Sequence, residues 1–146
     1  MSKQLLLKLW TELAEARRQL VRILHRTYGD QINLFLPSAL QFLQAGGQDF
    51  ELRRLLYTLS RTIQEAGPFT LGGEYRLPMT RNLLSLLICE HGWIPDQLPA
   101  FPDGLPPDDE AGEALQRVRD LREELALQQR LLRQKAMETP EAQAQL

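Results

Sequence analysis

The sequence predicts a mainly α-helical fold: a bundle of about five helices with one short β-hairpin and a long C-terminal helix. Three observations predict it. Residues Lys3 to Thr27 carry apolar side chains at heptad spacing: Leu6, Leu9, Leu13, Ala16, Leu20 and Ile23. A second seam of this kind runs through Ala114, Val118, Leu121, Leu125 and Leu132. Between them lie shorter apolar patterns of helical period, cut apart by glycine and proline. A seam that narrow must face another helix, in its own chain or in a partner.

The first helix is expected from about Ser2 to Thr27, with Ser2 as N-cap and Gly29-Asp30 after its end. A second is read from Ile32, Phe35, Leu36, Ala39, Leu40 and Leu43. Pro37 inside that pattern must kink a helix or start one, and Gly46-Gly47 stops it. The third starts at Asp49 and ends at Ala66 before Gly67-Pro68, with Leu52, Leu55, Leu56, Leu59 and Ile63 as its apolar face. Phe69-Thr70-Leu71, Gly72-Gly73 and Glu74-Tyr75-Arg76-Leu77 form the one β signal, a hairpin near 69–77. The fourth helix, about Thr80 to His91, is apolar nearly all round (Leu83, Leu84, Leu86, Leu87, Ile88). That pattern places it in the middle of the core, with Trp93 and Ile94 folding back beyond Gly92.

Residues 1–94 thus read as a helical core domain. From 95 to 108 the character changes. Five prolines fall here, and Asp96 to Glu110 holds five carboxylates and no basic residue. This reads as an extended acidic connector of up to about 43 Å in polyproline form. Such a reach would let the next helix lie on almost any face, or on a second protomer. That helix, 109–138, is about 45 Å long at 1.5 Å per residue. Gln128 interrupts its seam, and 139–146 reads as a flexible tail. The helix–hairpin–helix order over 49–91 resembles part of a winged-helix domain only loosely, because there the hairpin follows the recognition helix; no family is assigned on it.

Bulk composition narrows the function classes. A chain of 146 residues with 43% hydrophobic and 25% charged residues is ordinary for one globular domain. The net charge of −2 gives no overall field toward nucleic acid or membrane. A single cysteine, Cys89, precludes an intrachain disulfide. No apolar run is long enough for a membrane span, and Lys8 and Glu12 break the N-terminal run too early for a signal peptide. A soluble, cytoplasmic protein is the expectation.

Catalytic signals are weak. Cys89 and His91 stand two apart on a helix and point about 200° from each other, so they cannot form a dyad. With His25 the only other histidine, a zinc set is also short of ligands. No glycine motif fits a phosphate. The expectation is therefore no enzyme, no cofactor, no metal and no small-molecule substrate. What remains is a protein-interaction module (adaptor, accessory subunit or inhibitor), acting through seam residues Leu6, Leu9, Leu13, Leu20, Val118, Leu121, Leu125 and Leu132, with a protein partner or a second copy. The alternative is an accessory subunit that grips nucleic acid through Arg18, Arg22 and Arg26, a stripe stepping by four along the first helix. The plainer account of those arginines is a solvated face, satisfied in part by the acidic connector.

Overall fold

The computed structural model describes residues 2–66 and 80–138, with side chains from 3 to 64 and from 80 to 138. The protein is mainly helical. The described residues form five α-helices, α1 (Ser2–Tyr28), α2 (Leu36–Gln44), α3 (Phe50–Ala66), α4 (Arg81–Cys89) and α5 (Asp109–Glu138), plus a 3-10 segment (Gly29–Phe35). No strand occurs among the described residues. The hairpin expected near 69–77, like the tail from 139, lies outside them.

Local signals explain the boundaries. Asp49 caps α3 by accepting from Leu52 N–H at 3.1 Å. Thr80 caps α4 by accepting from Leu83 N–H at 3.0 Å. Asp108 caps α5 by accepting from Ala111 N–H at 3.1 Å. Each satisfies a backbone donor that the first helical turn leaves without a partner. The second expected helix is divided. A 3-10 turn leads from α1 into α2, and Pro37 sits at the start of α2, where its missing N–H costs nothing. At the end of α4, Gly92 takes φ +70°, and Trp93 N–H donates to Leu87 O at 2.9 Å. A left-handed glycine of this kind turns the chain back so that the next apolar residue covers the core; Trp93 is buried.

The centre of the bundle is α1, not α4. α1 packs most extensively against α5, then α4 and the 3-10 segment, whereas α3 packs on α2. The two long helices are antiparallel: Arg26 near the end of α1 pairs with Glu110 at the start of α5 (2.6 Å), and Arg17 feels the charge of Arg122 further along. The heptad seams are thus each other's mates. Leu9, Leu13, Leu20, Val118, Leu121 and Leu125 are all buried in one core cluster. In α5 the buried line runs Ala111, Leu115, Val118, Leu121 and Leu125, so Leu115 replaces the expected Ala114, which is half-buried. Gln128 is half-buried where this line runs out, and it donates to Glu124 Oε1 on its own helix at 2.9 Å.

The acidic connector is a bound strap. Pro95 is fully buried, and Tyr28 donates its hydroxyl proton to Pro99 O at 2.7 Å while its ring meets Phe101 at 5.0 Å between centroids. Arg119 of α5 donates to the carbonyls of Pro95 and Asp96. Composition suggested a free tether; the anchors Pro95 and Phe101 and the accepting carbonyls of Pro95, Asp96 and Pro99 hold it down instead. The strap fixes where α5 begins, which removes the freedom to choose any face.

Candidate interaction surfaces

The arginine stripe is built on the outer side of α1, and carboxylates lie along it. Arg18 pairs with Glu15 at 2.7 Å. Arg22 reaches Glu15 at 3.5 Å and donates to Gln19 Oε1. Arg26 pairs with Glu110. The hydrogen bond from Arg18, aided by the charges of Arg18 and Arg22, holds the Glu15 carboxyl below its ordinary range. Exposed pairs of this kind contribute little stability, yet they cancel much of the local positive charge. The counter-charge of Arg26 comes from Glu110 in the first turn of α5 rather than from the connector at 95–108.

Cys89 and His91 lie in different surroundings. Burial pushes the Cys89 thiol up, keeping it protonated and a poor nucleophile. His91 Nε2 lies 3.7 Å from Glu51 Oε2, tying the end of α4 to α3. His25 sits beside the start of α4, with Nε2 3.2 Å from Arg81 O and 3.5 Å from Ser85 Oγ. Burial depresses its basicity. Among the described residues no group of three histidine, cysteine or carboxylate side chains is arranged to hold a metal ion. No described helix is long and apolar enough to cross a membrane.

Two features stand out as surfaces. The first is the open end of the α1–α5 pair. Among the described residues α4 lies along the second half of α1, from His25 back to Arg17, where Cys89 feels the charges of Arg18 and Arg17. Leu24, Arg17 and Trp10 are spaced by seven and share one face of α1. Leu24 is fully buried, Arg17 is half-buried and Trp10 is 49% exposed, so cover along that face fades toward the N-terminus. Leu7, three residues before Trp10, is 69% exposed. Leu5 on α1 and Leu127 and Leu131 on α5 are also exposed, and the seam residues Leu6 and Leu132 are only half-buried. Heptad reading singled out Leu6 and Leu132 but missed Leu7 and Leu131; a seam position alone gave no signal for them, since Leu24 and Leu115 also lie off the seams and are buried.

The second surface is a groove of about 700 Å³ between α2, α5 and the turn after α4. Phe42 and Trp93, 6.3 Å apart between ring centroids, form part of its lining. Ile94, Pro95 and Ala126 add apolar wall, while Arg119, Arg122, Glu123 and Asp96 add charge. The sequence placed these residues on three separate elements and gave no sign that they converge.

No known family model matches the chain, and no curated protein or solved structure is significantly similar to it.

Proposed function

We propose that the protein is a non-catalytic helical interaction module that receives an amphipathic helix of another protein at the open end of the α1–α5 pair. The observation that carries this reading is the fading cover along Leu24, Arg17 and Trp10. A helix continuing the line of α4 would cover Trp10 and Leu7. Tryptophan in such a position is a frequent hot spot, and helix-in-groove docking reads spacings of three, four and seven.

Charge favours a foreign partner over a second copy. Within 3–12 and 127–138 there are five basic residues (Lys3, Lys8, Arg130, Arg133, Lys135) and two acidic ones (Glu12, Glu138), a net +3 on a chain whose total is −2. Two such ends repel, whereas a helix with acidic flanks is attracted. The carboxylates beside Arg18, Arg22 and Arg26 weigh against a phosphate-gripping role for that stripe.

The test uses the purified full chain and synthetic helices carrying leucines at three- and four-residue spacing, one with glutamate flanks and one with lysine flanks. The acidic helix should bind at least tenfold tighter at low salt, and Trp10→Ser with Leu7→Ser should abolish binding without changing the helical signal. Equal binding of the two helices, or binding unaffected by the double variant, would remove this surface from consideration. A dimer by light scattering that Trp10→Ser dissociates would replace the foreign helix with a second copy.

A further inference from the structure

The outer face of α3 alternates rings with guanidinium groups. Phe50, Arg54, Tyr57 and Arg61 step by four, three and four, and all four are exposed. At about 100° per residue they fall within about 60° of one another around the helix. Arg53 stands at the edge of this line. Leu52 and Leu59, on the opposite side, are buried, and α2 is the helix on which α3 packs. Phe50 is 77% exposed and Tyr57 66%, more than any other aromatic side chain among the described residues.

The charges on this face are arranged differently from those on α1. There, carboxylates lie along Arg18, Arg22 and Arg26. On α3, neither Arg53 nor Arg54 pairs with a carboxylate among the described residues. Glu51 is the acidic residue within 50–64. It lies about 100° around the helix from Phe50, and its carboxylate stands 3.7 Å from His91 beyond the end of α4. Two guanidinium groups are thus open to an anion beside two rings open to a flat apolar partner.

A single strand of nucleic acid offers both. Its unpaired bases have free faces that stack on aromatic rings, and its backbone carries a phosphate for every base. A duplex keeps its bases stacked on one another and leaves the rings uncovered. A membrane surface needs a continuous apolar face, and here arginines separate the rings. We propose that the outer face of α3 binds single-stranded nucleic acid, with bases on Phe50 and Tyr57 and phosphates at Arg53 and Arg54. This surface is separate from the open end of α1–α5 and does not depend on a partner helix there.

Binding titrations of the full chain test the proposal. The probes are twelve-nucleotide oligo-dT and oligo-rU, a twelve-base-pair DNA duplex, a glutamate-rich peptide and phosphatidylserine vesicles. At least one single strand should bind at least fivefold more tightly than the duplex, the peptide or the vesicles. Two phosphate contacts imply a log–log salt slope of about −1.4, hence about a sevenfold loss of affinity from 50 to 200 mM salt. Phe50→Ser with Tyr57→Ser should weaken binding at least tenfold with an unchanged helical signal, whereas Phe50→Tyr with Tyr57→Phe should keep it within twofold. Arg53→Gln with Arg54→Gln should weaken binding and flatten the salt slope. Trp10→Ser with Leu7→Ser should leave binding unchanged. No binding of either strand at 50 mM salt, equal or tighter binding of the duplex, the peptide or the vesicles, or a Phe50→Ser, Tyr57→Ser variant that binds normally would overturn the assignment.

Discussion

The two halves of the α1–α5 pair carry similar seams and end up differently. Toward the end of α1, the strap, α4 and the 3-10 segment close over it. Leu20, Leu24, Val118 and Phe35 are buried completely, and Tyr28 is locked between Phe35 and Phe101. Toward its beginning α5 is the one described helix alongside, and Leu7, Trp10, Leu127 and Leu131 stay partly in water. A heptad seam therefore satisfies one helix–helix contact and no more. Whether the flanks of that contact are covered depends on third elements, and here those elements are short. α4, with nine residues, spans about 13 Å, against about 40 Å for the 27 residues of α1.

Substitutions can break this contrast. The largest effect belongs to the closed half: Leu20→Ala should lose about 3 kcal/mol in urea unfolding, because the lost transfer energy adds to a cavity that its neighbours cannot fill. If Leu20→Ala cost no more than Leu7→Ala, the two halves would not differ. Gly92→Ala should cost about 1–2 kcal/mol, since φ +70° strains any side chain and the new methyl meets Arg17 Nη2. Tyr28→Phe removes the donor to Pro99 O and should cost about 1 kcal/mol. Proteolysis within 96–108 should quicken in that variant as the strap loosens.

A smaller effect follows from His25. Burial holds its folded-state pKa below the ordinary value of 6.5. The unfolded chain therefore takes up the proton first as pH falls. Stability from this residue is fully present above about pH 6.5 and is lost as pH drops through that value toward the folded pKa. His25→Gln should flatten this slope in melting curves taken from pH 8 to 5. Tyr28 works at the other extreme. Burial, with the charge of Asp108, pushes its hydroxyl up to about 12. Its contribution is complete below about pH 10 and is lost as pH climbs toward 12. The smallest expected change in stability is that of Trp10→Ser with Leu131→Ser, below about 1 kcal/mol, because both side chains are about half exposed in the isolated chain.

Much of the architecture was legible in local signals. Asp49 and Thr80 cap the helices they precede, Pro37 starts one, and Gly92 turns Trp93 inward; each is a one- or two-residue rule with a local cause. What could not be read depended on distant partners. Nothing in Pro95–Asp108 indicates that Tyr28, more than sixty residues earlier, will take a carbonyl from it, so the segment looked free. The all-round apolar pattern of Leu83 to Ile88 suggested a central helix, yet α1 holds the centre because its length allows three neighbours. In the sequence Arg17 only flanks the stripe of Arg18, Arg22 and Arg26. Its packing against Gly92 sets it apart, and that contact is a product of the fold.

The central claim is that the heptad seams of α1 and α5 satisfy each other within one chain, leaving partner binding to the flanks of their open end. NOE spectra of an equimolar mixture of isotope-labelled and unlabelled chains test it most directly. The account predicts methyl cross-peaks between Leu20 and Val118, and between Leu13 and Leu125, that arise within single labelled chains and vanish from the intermolecular, isotope-filtered spectrum. Cross-peaks found only in the filtered spectrum would mean that each seam pairs with another chain, and would contradict it.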